Sequence, residues 1–167
     1  MARPSDPGDE VDLRPVIDPD PFDVRVALAG IVHWADSQQV RQRMMTAIDF
    51  PVADMSMFLV VNQLTYRGAT RPSVLAEALG TGRANLTKIA NRLQDIGLVV
   101  RVPAPDDERS VLLALTASGR DYGERISAQL REDLDAVLAH WSAKDVDALR
   151  RVLARLRHDA IGTAARG

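Results

Sequence analysis

The sequence predicts a mainly α-helical fold with one small β-hairpin. Apolar residues recur every three or four positions over most of the chain, which is the period of amphipathic helices. The period is interrupted at residues 98–115, where two short apolar runs flank a polar turn with two prolines and so predict a hairpin. The order of elements, with a helix pair joined by a short turn ahead of the hairpin, is that of a winged helix-turn-helix.

The N-terminal part is predicted to be an acidic arm followed by a long helix. The first 23 residues hold seven acidic side chains against two arginines and are rich in proline. This composition favours an extended arm over residues 1–19. Apolar side chains then recur at helical spacing, so we expect one helix over residues 20–50, ended by Pro51.

Residues 51–116 are predicted to form the winged helix-turn-helix. A run that is apolar nearly all round predicts a buried helix over residues 55–67. A short helix over residues 72–79 and another over residues 83–96 should follow. The turn between them, Gly80-Thr81-Gly82, gives the backbone the freedom to reverse there.

The predicted helix over residues 83–96 has one apolar face and one polar face. Its apolar positions are Leu86, Ile89, Ala90 and Leu93. The other face suits the edges of base pairs, because arginine and lysine bind guanine, asparagine binds adenine and alanine contacts the thymine methyl group. The residues of this face that we predict to contact DNA are Arg83, Ala84, Asn85, Lys88, Asn91 and Arg92. A solvated helix face is the alternative interpretation.

The hairpin is predicted to have strands over residues 98–102 and 111–115, joined by a polar turn. The turn carries Arg109, and a single guanidinium on a narrow ribbon suits a narrow minor groove. We expect Asp107 to orient Arg109 by a charge-assisted pair. A surface loop whose charges compensate one another is the competing interpretation.

Residues 117–162 are predicted to form two long amphipathic helices, the first capped by Thr116. Their apolar stripes, with that of the helix over residues 20–50, are longer than a small winged helix can cover. From periodicity, these stripes fit either a helical bundle within one chain or the association of two chains.

The charge distribution favours contact with phosphates. The net charge is −2, yet residues 67–101 hold six basic side chains against two acidic ones. The chain has no cysteine, no apolar run that could span a membrane and no secretory signal, so we expect a cytoplasmic protein. The three histidines lack metal-ligand spacing, and neither a metal nor a cofactor is expected.

Several segments resemble the multiple antibiotic resistance regulator (MarR) family of bacterial transcription factors. The matching segments are residues 86–93, 97–99, 107–109 and 115–119. The resemblance implies a homodimer that binds near-palindromic double-stranded DNA and regulates transcription, which we expect to be repression. It implies that residues 20–50 and 117–162 form the dimerisation region and that Thr87 contacts DNA beside Lys88. Asn91 stands where the family often has aspartate.

The resemblance also implies a small aromatic effector, bound in a crevice between the dimerisation helices and the winged helix. The side chains that could line this crevice are His33, Trp34, Met57 and Phe58. These residue types are more often plain core. The sequence has no phosphate-binding loop and no hydrolase or zinc-protease motif, so we expect no enzyme. The alternative to a DNA-binding regulator is a winged helix that serves protein–protein contact without DNA.

Overall fold

The protein is described by a computed structural model that covers residues 15–17, 20–105 and 107–164, apart from the side chains of residues 107–109, 163 and 164. Within that part of the chain, seven helices and one two-stranded hairpin confirm the predicted mainly α-helical class. In chain order the elements are α1 (Val24–Ala35), α2 (Gln38–Ala47), α3 (Met55–Arg67), α4 (Pro72–Ala78), α5 (Arg83–Asp95), β1 (Val99–Ala104), β2 (Asp107–Leu115), α6 (Ala117–Leu138) and α7 (Ala143–Ala164). Most of the predicted arm, namely residues 1–14, 18 and 19, lies outside the described residues.

The prediction of a single helix over residues 20–50 is wrong, because α1 and α2 are separate helices. The first helix begins at Val24, where the Asp23 carboxylate accepts a hydrogen bond from the Arg25 backbone N–H at 2.8 Å. It ends at Ala35, with Asp36 as its C-cap, and the hydroxyl of Ser37 then accepts a hydrogen bond from the Val40 backbone N–H at 3.3 Å. Aspartate and serine favour helix termini because their side chains compete for backbone groups. Apolar residues keep their helical spacing across this break, so the spacing alone does not reveal it.

The chain divides into two compact units, and the boundary between Arg43 and Met44 falls inside α2. The first unit contains α1, which has no buried residue. The second unit contains the hydrophobic core, built around α3, α4, α5 and the hairpin, to which Met44 and Met45 of α2 and Ile126 of α6 also contribute. Its largest fully buried side chains are Met57, Val60, Val61, Leu64, Leu75, Leu86, Leu93, Leu113 and Ile126.

The hairpin is antiparallel and longer than the sequence indicated. Val99 pairs with Leu115 and Pro103 with Val111, and the register shifts between Pro103 and Ala104. The predicted turn over residues 103–110 is therefore too long, since both flanks belong to strands. Proline is tolerated there because β1 has one neighbour and needs no donor on its open side.

A third short segment joins the hairpin at Thr70, between α3 and α4. The backbone N–H of Thr70 donates to the carbonyl of Leu113, and the N–H of Leu113 donates back, each at 2.9 Å. This bridge connects the helical half of the winged helix to β2, and it buries the Thr70 side chain.

The start of α6 is fastened to the turn that precedes β1. The hydroxyl of Thr116 accepts a hydrogen bond from the Gly119 N–H at 3.0 Å and donates to the carbonyl of Gly97 at 2.6 Å. The Thr116 N–H donates to the carbonyl of Leu98 at 3.1 Å. The predicted cap is confirmed, and it also sets where α6 leaves the hairpin.

Candidate nucleic-acid interface

The direction of α5 is set by the turn that follows α4. Gly80 has a φ of +59°, a left-handed conformation that glycine adopts without steric cost. The next residue, Thr81, donates its backbone N–H to the carbonyl of Ala76 at 2.9 Å. The predicted turn is confirmed in its conformation at Gly80, whereas Gly82 has an ordinary φ of −74°.

The two predicted faces of α5 are confirmed. The buried side chains of this helix are Leu86, Ile89, Ala90 and Leu93. The exposed residues that we predicted to contact DNA from this helix are Arg83, Ala84, Asn85, Thr87, Lys88, Asn91 and Arg92. The apolar face docks α5 on the core, and the polar face carries hydrogen-bond donors away from it.

Arg83 and Lys88 are the cations of this face that are available to a partner. Neither side chain makes a hydrogen bond or an ion pair with another residue that the structure describes. A cation without an internal partner keeps its full charge for a phosphate or a guanine edge.

Two other polar side chains of α5 are held by local contacts. The amide nitrogen of Asn85 donates to the Thr81 hydroxyl at 2.9 Å, across one turn. The Thr87 hydroxyl donates to the carbonyl of Arg83, also at 2.9 Å. Thr87 therefore presents its methyl group and a hydroxyl oxygen that can still accept.

Asn91 is connected to the hairpin by a contact that the sequence did not reveal. The guanidinium of Arg101, on β1, donates from Nη2 to Oδ1 of Asn91 at 2.7 Å. Both residues are exposed, so the contact lies at the surface where α5 meets the base of the hairpin.

Arg92 forms an ion pair with Asp54, the N-cap residue of α3. Its Nη1 donates to Oδ2 of Asp54 at 2.5 Å, while Oδ1 accepts from the backbone N–H groups of Ser56 and Met57. One carboxylate thus caps α3 and holds α5. Because Arg92 has this partner, less of its charge is available to a phosphate than the sequence suggested.

The Asp54 carboxyl has a lowered pKa. Burial raises it, but the hydrogen bonds from the Met57 backbone and from Arg92 outweigh burial and hold the pKa of Asp54 below 3.8, its ordinary value. Its ionised form therefore stabilises the fold above that value, and the contribution disappears as the pH falls through the lowered pKa.

Asp54→Asn is expected to reduce the loss of stability in acid. The amide keeps an oxygen to cap α3 but loses the charge that Arg92 pairs with. The variant should therefore have a lower free energy of unfolding at neutral pH, and that free energy should fall less on acidification than in the parent. Urea unfolding from pH 7 down to the acid limit of folding measures this. Asp95→Asn, the same change at an exposed carboxylate on α5, is the matched control. Parallel acid curves for the parent and Asp54→Asn would contradict the assignment.

The wing residues are described in their backbone alone. Residues 107–109 belong to β2, but the side chains of Asp107 and Arg109 lie outside the described part of the structure. Their pairing, and contact of Arg109 with a minor groove, stay predictions.

The predicted effector residues fall into two different environments. Met57 and Phe58 are core residues of the second unit, with exposed fractions of 1% and 3%. His33 and Trp34 are exposed on α1, in the first unit. A cleft of about 260 Å³ between α3, β2 and α6 is lined by residues that include Thr65, Arg120 and Glu124, and by none of the four predicted residues. The burial of Met57 and Phe58 argues against their lining an open crevice, and the effector site stays a prediction.

The described residues also bear on a metal site and on a membrane span. Among the described residues, no group of three or more histidine, aspartate or glutamate side chains is placed to hold a metal ion. None of the helices in the described ranges combines the length and the apolar character that crossing a membrane requires.

The fold and this exposed helix define the class as a winged helix-turn-helix protein. The MarR family model matches residues 54–111, which include α3, α4, α5 and most of the hairpin. The HTH-type transcriptional regulator FarR of Neisseria gonorrhoeae is 36% identical over 74 residues, or 44% of this chain and 51% of that protein. The multiple antibiotic resistance protein MarR of Escherichia coli is 26% identical over 140 residues, or 82% and 95% of the two chains.

A solved structure extends the likeness beyond the matched segment. A MarR family protein from Bacillus stearothermophilus superimposes with a TM-score of 0.65 at 22% identity, over 82% of this chain and 95% of that one. Residues 54–111 of the chain are thus similar to the MarR family, and the likeness of fold extends beyond them. It spans about half the length of the first curated relatives that it matches.

Proposed function

We propose that the chain is a sequence-specific DNA-binding regulator of transcription, acting as a repressor, that places α5 in a major groove. The observation that carries the proposal is the exposed face of α5, where Arg83 and Lys88 have no side-chain partner among the described residues and stand beside other polar side chains. A major groove admits an α-helix, and hydrogen-bond donors on its outer face read guanine there. The match of residues 54–111 to the MarR family model supports this proposal, and relatives such as FarR are named transcriptional regulators.

The alternative, a winged helix used for protein contact, has less support. Protein interfaces draw most of their binding energy from a few buried anchors, among which tryptophan, tyrosine and arginine are enriched. The exposed part of α5 carries arginine, lysine, asparagine, threonine and alanine, but the helix has no aromatic residue and none of its large apolar side chains is exposed. This composition suits a polar, negatively charged partner.

The experiment is an electrophoretic shift with the DNA upstream of the chain's own gene. We expect a retarded band that survives an excess of unrelated duplex and weakens steeply as salt rises, because phosphate contacts release counterions. Equal competition by unrelated duplex, or no shift at low salt, would contradict sequence-specific binding.

The proposal includes a homodimer, because several helices expose apolar side chains. Those more than two-fifths exposed include Val24, Ile31, Leu130, Leu134, Val137, Leu153 and Leu156. On α6, Leu130, Leu134 and Val137 recur at helical spacing and form one stripe. Such stripes favour association, and a twofold dimer can place two recognition helices about 34 Å apart, one turn of DNA.

Sedimentation is expected to show a dimer of the parent chain at micromolar concentration. Leu134→Glu should shift the equilibrium toward monomer, since it places a charge in the apolar stripe of α6. Ala136→Glu adds the same charge to an exposed residue beside the stripe and should stay dimeric. A monomeric parent would contradict the proposal.

A further inference from the structure

The contact between Arg101 and Asn91 decides how one side chain of α5 can meet DNA. Arg101 lies two residues after Val99, so both point to the same side of β1. Val99 is buried, which identifies that side as the one packed on the core. Arg101 extends from it to α5, where Nη2 lies 2.7 Å from Oδ1 of Asn91.

The chemistry of the pair fixes the orientation of the amide. The oxygen and nitrogen of an asparagine amide are usually assigned from their partners, because the two atoms look alike. A guanidinium has five N–H donors and no acceptor, so an amide in contact with it must turn its oxygen toward it. The charged donor makes this hydrogen bond stronger than one between neutral groups. The Asn91 amide nitrogen, with its two N–H donors, then remains for an outside partner.

We propose that Asn91 is a specificity-determining residue that selects acceptor edges in the major groove, with Arg101 as its positioning residue. This inference rests on the proposed DNA-binding function. Guanine offers N7 and O6 as acceptors, and thymine offers O4. The usual contact of asparagine with adenine needs the amide oxygen to accept from the adenine amino group. In this chain the adenine amino group would have to share the Asn91 oxygen with the Arg101 guanidinium, or displace the guanidinium from it.

The proposed acceptor preference of Asn91 differs from the adenine contact that its residue type suggested in the sequence. The residue type alone permits both orientations, and the contact with β1 selects one. Asn85, whose amide faces a threonine hydroxyl that can donate or accept, keeps both options.

The test is selection of bound sequences from a randomised duplex library, with base preferences read by sequencing. For the parent chain we expect one position in each half-site to favour guanine or thymine over adenine by about tenfold. Asn91→Ala should lose the preference at that position and keep it elsewhere, which identifies the position. Arg101→Met removes the donor but keeps an unbranched stem, and it should let adenine rise to parity there.

The conservative variant separates positioning from general loss of charge or fold. Arg101→Lys keeps a donor-only cation and should retain the parent's preference, whereas a merely structural role of Arg101 predicts no change of base preference in either variant. Adenine favoured by the parent at the Asn91 position, or identical profiles for the parent and Arg101→Met, would overturn the inference while leaving the DNA-binding function standing. Enrichment of no sequence by the parent would overturn both.

Discussion

Replacing Gly119 by alanine is expected to lower the free energy of unfolding by about 3 kcal/mol, the upper range for adding a methyl group to a packed site. A Cβ atom at Gly119 would lie 2.1 Å from the carbonyl oxygen and 3.1 Å from the carbonyl carbon of Leu98. Both are backbone atoms of a buried residue, so no side-chain rotation relieves the overlap. The first turn of α6 would have to move away from the hairpin.

The expected loss of stability is opposite in direction to the usual effect of this substitution in a helix. In most helical positions a change from glycine to alanine stabilises by up to about 1 kcal/mol, because alanine restricts the unfolded chain and favours the helix. Urea unfolding of the parent, Gly119→Ala and Ser118→Ala measures it, with Ser118 as an exposed control in the same turn. If Gly119→Ala had the same free energy of unfolding as the Ser118→Ala control, α6 would not be held against the backbone at Leu98.

Replacing Lys88 by alanine is expected to weaken binding to the preferred site by about 1–3 kcal/mol in each subunit. Since 1.4 kcal/mol is a factor of ten, the loss per subunit is at least about fivefold. Lys88 is exposed on α5 and has no internal partner among the described residues, so we expect its removal to cost a contact with DNA and to leave the fold intact.

The chain offers a matched control, because its second and last lysine, Lys144, is exposed at the start of α7. Lys144→Ala removes the same charge far along the chain from α5 and should bind as the parent does. Titrations on the preferred and on an unrelated duplex separate base reading from charge. Equal losses for both lysine variants, or no loss for Lys88→Ala, would contradict the role of Lys88.

Arg92 illustrates what periodicity can predict and what it cannot. The period of α5 placed Arg92 correctly on the exposed face, because helical spacing alone decides that. Its ion pair with Asp54 joins residues 38 positions apart and depends on how α3 and α5 pack. No local pattern in the sequence shows that the carboxylate that caps α3 also holds Arg92.

Other features could not be predicted from the sequence for related reasons. The contact of Arg101 with Asn91 needs the direction of β1 relative to α5, which no local pattern carries. The break between α1 and α2 was hidden because apolar residues keep their spacing across Asp36 and Ser37. Gly119 belonged to a recognisable segment, yet the reason for a glycine there is the approach of the Leu98 backbone, a tertiary fact.

The central claim is that two copies of the chain present α5 to successive major grooves, and protection of guanine N7 from methylation tests it most directly. N7 lies in the major groove, so a recognition helix that occupies the groove shields it. On a duplex selected by the parent chain, we predict two protected clusters about 10 base pairs apart, both weakened by Lys88→Ala. Uniform reactivity of guanine N7 on a fully bound duplex would contradict the claim.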